Sequence, residues 1–360
     1  MPRVAIAAGG TAGHVVPALA VADALRAEGA EVSFVGARGR LESETVPAAG
    51  YEIDLLDVRG LDRSNPLKAA GAVGKAARAV PAARRVLRER GADAVMGGGG
   101  YVAGPAGLAA LSLGLPLVLT EADRHLGLAN RLLAARARRV CLAFPIPGRD
   151  GDRYVITGRP VPAEILGADR EAARQRFGIA TEARCLLVFG GSQGARSINL
   201  AALEAFAGPE PVPRGFHVLH IAGHRDYPTA REALEKTEIP DYTLLEYEPS
   251  LAESLAACDL VLARAGGSIF ELAAAGRPAV LVPYPHASGD HQRANAQWMA
   301  DAGAAVVIDD ADLDGPAVRA KAGELLGDPG RLAEMASASA SLARPDAAAR
   351  VASEILSVCP

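Results

Sequence analysis

Short runs of aliphatic residues alternate along the whole chain with alanine-rich stretches of helical character. Each run is apolar nearly throughout rather than at every second position, which is typical of parallel strands covered on both faces by helices. The alternation therefore predicts doubly wound α/β sheets. The runs of the first half are "RVAIAAG" (3–9), "EVSFVGA" (31–37), "DAVMG" (93–97), "PLVLTE" (116–121), "RRVCLAF" (138–144) and "RYVITG" (153–158).

The pattern restarts after "GRPVPAEILG", near residue 160. A chain of 360 residues is long enough for two domains. We expect two doubly wound Rossmann-like domains facing a central cleft, over residues 1–160 and 161–339, with a helix at about 340–358 packing back on the first. Ligands of such sheets bind beyond the carboxyl ends of the strands, so the cleft is the expected site. The later runs are "RCLLVFGGS" (184–192), "FHVLHIAG" (216–223), "YTLLEYE" (242–248), "DLVLAR" (259–264), "PAVLVPYP" (278–285) and "AAVVIDD" (304–310).

Charge and cysteine content exclude several classes of protein. A net charge of −4 and an isoelectric point near 6.0 argue against a nucleic-acid partner held by bulk positive charge. The four cysteines are far apart and form no CxxC pair, so we predict no metal site and a reducing, cytoplasmic setting.

Two uncharged stretches resemble membrane or export segments. Residues 4–22 follow Arg3 as the apolar part of a signal peptide does, but glycines and Pro17 interrupt them, so we interpret them as a strand and turn. Residues 94–120 are 27 residues without a formal charge, long enough to cross a bilayer. Nine glycines and prolines within them favour strand, loop, short helix and strand instead.

Three glycine-rich loops each follow a predicted strand and precede a helix: "AGGTAGH" (8–14), "GGGGYVAGPAG" (97–107) and "FGGSQGARSIN" (189–199). Backbone N–H groups at a helix start attract phosphate, and glycine lets it approach closely. The first loop departs from the nicotinamide fingerprint, because Ala8 holds the first glycine position and Arg38, rather than an acid, follows the second strand. An NADP-type site using Arg38 stays open but has no role for His14. The third loop lacks the P-loop lysine, so the three favour phosphate-bearing ligands on both sides of a cleft.

These loops, followed by "RAGGSIFELAAAGRPAVLVPYP" and "DHQRANA", resemble the MurG family of peptidoglycan glycosyltransferases from Ala7 to about Ala304. That family transfers N-acetylglucosamine from UDP-N-acetylglucosamine (UDP-GlcNAc) to the undecaprenyl-diphosphate-linked muramyl-pentapeptide called lipid I. The resemblance implies the two-domain GT-B fold, an inverting mechanism, no required cofactor or bound metal, and cell-wall synthesis proteins as candidate partners.

The resemblance also implies roles for individual residues. His14 is the candidate general base toward the C4 hydroxyl of the acceptor sugar, because a neutral imidazole near pH 7 can take a proton. Glu271 is the candidate acceptor of hydrogen bonds from the two ribose hydroxyls of UDP. Both residues also have a purely structural interpretation. His14 would then be a helix-start residue bonded to the local backbone, and Glu271 an acid in the first turn of a helix, where the helix dipole favours it. Further donor-binding residues are Thr11, Ala12, Gly13, Asp123, Gly191, Ser192, Gln193, Gly194, Tyr247, Glu248, Gly267, Ser268, Gln292 and Asn295. Acceptor-binding residues are Gly10, Gly99, Gly100, Tyr101 and Glu121.

Several positions depart from the family pattern. "TEAD" replaces His-Glu-Gln-Asn, so that Asp123 stands where the family has asparagine. "GRPVP" puts Pro162 where the family has an arginine near phosphate, which makes Arg159 a candidate phosphate contact. "RAGGSIFE" is one residue short, and His291 replaces a common glutamine. These changes leave open a GT-B transferase with another lipid or small-molecule acceptor, and a UDP-sugar-binding protein without catalysis. UDP-sugar epimerases share the architecture but lack these acceptor loops.

Residues 63–90 carry eight basic side chains against one acid, interleaved with Leu67, Val73, Val80 and Leu87. Such a segment can bind an anionic membrane surface, and we expect peripheral association with the cytoplasmic face of the cell membrane. The alternative is a solvated helix packed by its apolar face. The basic residues are Arg63, Lys68, Lys75, Arg78, Arg84, Arg85, Arg88 and Arg90.

Overall fold

A computed structural model of the chain describes residues 1–58, 66–191, 194–208, 210, 212–235 and 239–360. For residues 66–73 and 288 it describes the helical backbone but not the side chains. The described residues form two compact units, which we call the first unit (1–162 with 344–360) and the second unit (163–343). Each has one sheet whose strand pairs are all parallel. The predicted pair of doubly wound α/β sheets is confirmed.

The sheet of the first unit has seven strands in the order β3-β2-β1-β4-β5-β6-β7, so the winding reverses between β1 and β4. The strands are β1 Arg3–Ala7, β2 Glu31–Ala37, β3 Glu52–Leu56, β4 Ala94–Gly97, β5 Leu117–Glu121, β6 Arg139–Leu142 and β7 Tyr154–Ile156. The helices between them are α1 Ala12–Ala27, α2 Glu42–Ala48, α3 Pro66–Glu89, α4 Gly100–Leu113 and α5 Leu128–Leu133. Residues 94–120 thus form strand, loop, helix and strand, as predicted.

The sheet of the second unit has the order β10-β9-β8-β11-β12-β13, and its winding reverses between β8 and β11. The elements are α6 Glu164–Gly167, α7 Arg170–Phe177, β8 Arg184–Phe189, α8 Arg196–Phe206, β9 Phe216–Ile221, α9 Tyr227–Glu235, β10 Tyr242–Leu245, α10 Leu251–Ala257, β11 Leu260–Ala263, α11 Ile269–Ala274, β12 Ala279–Leu281, α12 His291–Asp301, β13 Ala305–Val307, α13 Gly315–Gly327 and α14 Pro329–Ser341. Short 3-10 turns lie at Ser288–Asp290 and Asp310–Asp312.

The last helix, α15 (Ala347–Leu356), belongs to the first unit and packs against α1. Val351, Ala352 and Ile355 are buried in one cluster with apolar residues of β1 and α1. The amphipathic spacing of these residues explains why the segment is helical and which face it buries. Residues 340–358 were predicted as one helix, whereas the structure has α14 ending at Ser341 and α15 beginning at Ala347.

A chain of buried polar side chains crosses the second unit. The Asn199 amide donates to the Ala222 carbonyl oxygen (2.8 Å) and to the Asp226 carboxylate (3.1 Å), which leaves its Oδ1 as an acceptor for His220 Nε2 (3.0 Å). His220 Nδ1 is 2.7 Å from the hydroxyl of Tyr242. This pattern fixes a neutral imidazole with Nε2–H donating to Asn199 and Nδ1 accepting from Tyr242. Every polar atom of the buried imidazole is therefore paired.

Candidate functional site

The glycine loops of the first unit lie at the point where the winding of its sheet reverses, between β1 and β4. The loop after β1 leads into α1, and the loop after β4 leads into α4, so both leave the carboxyl ends of neighbouring strands. This switch point is where open α/β sheets bind ligands.

Glycine is required for the two loops to touch. A Cβ atom at Gly100 would lie 2.0 Å from the carbonyl oxygen of Gly9, and a Cβ at Gly99 would lie 2.4 Å from Cδ2 of His14. Gly10 has a φ of +96° and faces the ring of Tyr101, whose Cε2 would be 3.1 Å from an added Cβ. The structure therefore brings the predicted acceptor residues Gly10, Gly99, Gly100 and Tyr101 together where the two loops meet, with Gly99 against His14.

His14 is the third residue of α1 and is half-buried. Thr11 is the N-cap of α1, but its hydroxyl makes no capping bond and instead lies 3.2 Å from His14 Nδ1. When Nδ1 donates to that hydroxyl, Nε2 carries the lone pair that a general base needs. Among the described residues, Nε2 has no hydrogen-bond partner. The imidazole thus contacts the Thr11 side chain, and the backbone N–H of His14 donates to the Thr11 carbonyl oxygen at 3.0 Å.

Charged groups around His14 act on its pKa in opposite directions. Burial lowers the pKa most, and the Arg159 guanidinium lowers it further, whereas the carboxylates of Asp123 and Glu42 raise it. The net effect is a lowered pKa, which keeps the imidazole neutral near pH 7. Arg159 is itself tied to the start of α1, because its Nη2 donates to the Gly13 carbonyl oxygen at 2.6 Å. The predicted donor residues Thr11, Ala12, Gly13 and Asp123 accordingly lie close to the candidate base.

Glu121 folds the loop that carries Asp123. Its carboxylate accepts hydrogen bonds from the backbone N–H of Gly127 (2.7 Å), the side-chain amide of Asn130 (2.9 Å) and the backbone N–H of Asp123 (3.2 Å). Burial raises the pKa of Glu121, and these hydrogen bonds oppose the rise. A direct contact of Glu121 with an acceptor stays a prediction.

The second unit has glycine loops at its own switch point, after β8 and after β11. Gly191 and Gly194 have φ values of +87° and +71°, and a Cβ at Gly194 would lie 2.6 Å from the Ala222 carbonyl oxygen. The predicted donor residues Ser192 and Gln193 lie outside the described residues. Glycine is thus required here by the backbone as well as by any ligand.

Sequence reasoning missed the side chains that hold these two loops together. Arg264 follows β11 and donates to the Ser197 hydroxyl of α8 (2.8 Å) and to the carboxylate of Asp310 (2.5 Å). Ser197 donates to the same Asp310 oxygen at 2.7 Å. The signal available in the sequence was an arginine directly after a buried strand, where a cation is retained only if it is paired.

The predicted sugar-binding pair lies beside the loop after β11. Asn295 is buried and donates to the Ala265 carbonyl oxygen at 3.0 Å. Gln292 accepts from the backbone N–H of Tyr284 (2.9 Å), and its Nε2 would be 3.9 Å from a Cβ at Gly266. Both amides therefore reach the loop that contains the predicted donor residues Gly267 and Ser268. Ser268 directly precedes α11, and Glu271 lies half-buried in the first turn of that helix.

The predicted base-recognition segment follows β10. Tyr247 is 41% exposed and stacks on His224, with ring centroids 5.1 Å apart. The Glu248 side chain is turned away, because its buried carboxylate accepts from Nη2 of Arg176 in α7 at 2.8 Å. The contact of the Glu248 backbone with uracil stays a prediction.

The described part of the basic segment is largely packed on the unit. Ala79, Ala83 and Leu87 of α3 are buried in the core, and α3 packs against α4. Lys75 pairs with Asp57 and Arg90 with Asp54, which neutralises part of the positive charge. Arg63 lies outside the described residues, as do the side chains of Leu67, Lys68 and Val73.

The described ranges contain neither a membrane-spanning helix nor a cluster of metal ligands. Outside the gaps, none of the helices combines the length and the hydropathy that crossing a bilayer requires. Within the same ranges, histidine, cysteine and carboxylate side chains form no group of three or more that could hold a metal ion.

Comparison with known proteins assigns the family. Residues 4–142 match the model of the glycosyltransferase family 28 N-terminal domain, and residues 185–351 match that of the family 28 C-terminal domain. The UDP-N-acetylglucosamine–N-acetylmuramyl-(pentapeptide) pyrophosphoryl-undecaprenol N-acetylglucosamine transferase of Moorella thermoacetica is 42% identical over 98% of both chains. The crystal structure of Acinetobacter baumannii MurG superposes with a TM-score of 0.76 at 30% identity, over 99% of this chain and 100% of that one. The glycosyltransferase of kitacinnamycin, at 20% identity and a TM-score of 0.74, shares the fold. The chain therefore belongs to glycosyltransferase family 28, has the GT-B fold, and is a member of the MurG family within it.

Proposed function

We propose that this chain transfers N-acetylglucosamine from UDP-GlcNAc to the C4 hydroxyl of N-acetylmuramic acid in lipid I, giving lipid II. Membership of the MurG family supports the donor and acceptor. The observation that carries the chemistry is the position of His14 at the contact of two glycine loops, with Nδ1 against Thr11 and a lowered pKa.

In this reaction His14 Nε2 takes the proton of the C4 hydroxyl while its oxygen forms a bond to C1 of the donor sugar. The bond between C1 and the diphosphate oxygen breaks, and the electron pair leaves with UDP, so that the configuration at C1 is inverted. A base that is neutral near pH 7 suits the first step. Backbone N–H groups of the loop after β8, with Gly191 and Gly194, would stabilise the developing charge on the diphosphate.

The second unit is the proposed donor side. Glu271 would accept from the ribose hydroxyls, Tyr247 and the backbone at Glu248 would contact uracil, and Gln292 with Asn295 would define the sugar pocket. The exposed ring of Tyr247 and the inward turn of the Glu248 carboxylate support this assignment. No cofactor beyond the donor substrate is proposed.

The first unit is the proposed acceptor side. Gly10, Gly99, Gly100 and Tyr101 lie where the two glycine loops meet, with Gly99 against His14. Arg159, which follows β7 and contacts the start of α1, is the proposed cation for an acceptor phosphate. An arginine held by a backbone carbonyl near a helix N-terminus supplies charge where phosphate binds favourably.

We further propose that the first unit binds the cytoplasmic face of an anionic membrane, where a lipid-linked acceptor is located. Besides the basic residues of α3, three leucines support this: Leu108 on α4 and Leu128 and Leu132 on α5 are 47%, 45% and 69% exposed, and α4 packs against both α3 and α5. Arg131 and Arg136 are exposed beside them. Apolar side chains flanked by cations are typical of interfacial binding.

Purified protein incubated with labelled UDP-GlcNAc and a lipid I analogue tests the proposal directly, and we expect labelled lipid II. Transfer to a different lipid but not to lipid I would favour another acceptor. Donor binding in calorimetry without any transfer would identify a binding protein instead.

A further inference from the structure

Glu42, the first residue of α2, is a fully buried carboxylate beside the candidate catalytic loop. Its Oε2 accepts the backbone N–H of Gly10 at 2.9 Å, and its Oε1 accepts the backbone N–H of Ala37 at 2.9 Å. Ala37 ends β2, whereas Gly10 belongs to the loop after β1. One side chain therefore ties the loop before His14 to the neighbouring strand.

Two glycines make room for this side chain. A Cβ at Gly9 would lie 2.1 Å from Glu42 Oε1, and a Cβ at Gly36 would lie 2.9 Å from Glu42 Cγ. Neither glycine has the positive φ that would require glycine for backbone reasons. Any other residue at position 9 would displace the carboxylate, so the space at Gly9 is shaped for Glu42.

Glu42 holds the start of the loop, whereas the Arg159 side chain holds its end by donating to the Gly13 carbonyl oxygen at 2.6 Å. Gly10 meets the Tyr101 ring, and Gly9 meets the backbone of Gly100, so a shift of the loop would also move its contact with α4. Both contacts lie within four or five residues of His14 along the chain. We propose that Glu42 is a positioning residue for His14, fixing the first glycine loop through the Gly10 N–H so that the imidazole meets the acceptor hydroxyl.

Glu42 also influences His14 electrostatically. The charged groups that act on the imidazole are Arg159 after β7, Asp123 after β5 and Glu42 of α2. The negative charge of Glu42 favours the protonated imidazole and so raises the His14 pKa against the larger lowering by burial. Removing that charge should lower the His14 pKa, so the acid limb of kcat/KM should move to lower pH.

The inference rests on the proposed base role of His14, and Glu42→Gln tests it. Glutamine has nearly the same shape as glutamate, but its amide nitrogen cannot accept a hydrogen bond. One of the two backbone N–H groups, of Gly10 or of Ala37, therefore loses its acceptor and must move away from the side chain. We expect kcat to fall about 100-fold, as small misplacements of catalytic groups do. The Kd for UDP-GlcNAc should change far less than kcat, because most of the proposed donor-binding residues lie in the second unit. Glu42→Asp, which keeps the charge, should give an intermediate kcat and a wild-type acid limb. Glu44→Gln, on the exposed face of the same helix, is the matched control.

A second readout does not depend on activity. The imidazole of His14 can be titrated by NMR in ¹³C-histidine-labelled protein, where its signal is the one absent from His14→Gln. We expect this signal to titrate at lower pH in Glu42→Gln than in wild type. Gly9→Ala displaces the carboxylate without removing it, so it should reduce kcat as Glu42→Gln does. It replaces Glu42→Gln in the test if the Glu42→Gln protein does not fold.

A kcat within about twofold of wild type in both Glu42→Gln and Gly9→Ala, or an unmoved His14 titration in Glu42→Gln, would overturn the inference. If the wild-type protein transfers nothing to lipid I, the proposed function fails, and the NMR titration alone decides whether Glu42 acts on His14.

Discussion

Lowering the pH should destabilise the second unit through His220. Burial lowers the pKa of this fully buried imidazole from 6.5 to about 4. Its Nδ1 accepts from the Tyr242 hydroxyl in the neutral form, so a proton there would both bury a charge and break the existing donor pattern. The unfolded chain binds the proton more readily, so stability is complete above the unfolded pKa and is lost as pH falls through 6.5 toward 4.

The size of the effect follows from the two pKa values. Each unit of difference corresponds to about 1.4 kcal/mol, which gives a maximum loss of roughly 3 kcal/mol below both values. At about pH 5 the unfolded imidazole is nearly fully protonated and the folded one is not, so the loss relative to about pH 7.5 is about 2 kcal/mol. Other groups titrate over the same range, so the comparison needs a variant that lacks only this proton.

Urea unfolding of wild type and His220→Gln at the two pH values measures this contribution. Trp298 is the only tryptophan of the chain and lies in the second unit, so its fluorescence reports the unfolding of that unit. The glutamine variant should be less stable at about pH 7.5, because the Tyr242 hydroxyl loses its partner, but its free energy of unfolding should fall less on acidification, by about 2 kcal/mol. An equal fall in both proteins would refute the reasoning.

Four further outcomes are expected. His14→Ala should lower kcat by about 10²- to 10⁴-fold, the usual contribution of a general base, while calorimetry finds an unchanged Kd for UDP-GlcNAc; an equal loss of both would indicate a structural role. Glu271→Ala should raise the KM for UDP-GlcNAc by at least about tenfold, because hydrogen bonds to a charged group contribute about 1.5–3 kcal/mol, and an unchanged KM would remove it from the donor site. Leu128→Ser/Leu132→Ser should reduce flotation with anionic liposomes, whereas Leu200→Ser in the second unit, where Leu200 is as exposed as Leu128, should not; flotation that is insensitive to both the leucines and salt would contradict the membrane proposal. A chelator should leave the transfer rate within about twofold, and a loss that Mg²⁺ restores would contradict the proposal that no cofactor is needed.

The sequence pattern predicts the strands whose residues are apolar nearly throughout, including the half-buried edge strands β7, β10 and β13. Twelve apolar runs each contain a strand, but β3 was missed. This strand is at the edge of the sheet and is mostly half-buried, and Glu52 and Asp54 in it bind Arg90. An edge strand with charged partners does not show a continuous apolar run, so a search for such runs cannot find it.

Some parts of the candidate site could be predicted from the sequence and others could not. Glycine loops could be recognised because phosphate binding and close packing restrict both residue type and spacing along the chain. Glu42 and Asp310 could not, since their partners Gly10 and Arg264 are 32 and 46 residues away and only the sheet order brings them together. The partner of the Glu248 side chain could not be predicted either, because Arg176 lies 72 residues earlier.

The packing of α15 on α1 has a consequence for the order of synthesis. Val351, Ala352 and Ile355 belong to the same buried cluster as Val4, Ile6 and Leu25, so part of the apolar side of α1 stays uncovered until α15 leaves the ribosome. Domains usually fold in order as they emerge. Here the second unit, residues 163–343, is complete before the first can close, and a nascent chain that stops near residue 343 exposes α1 to aggregation.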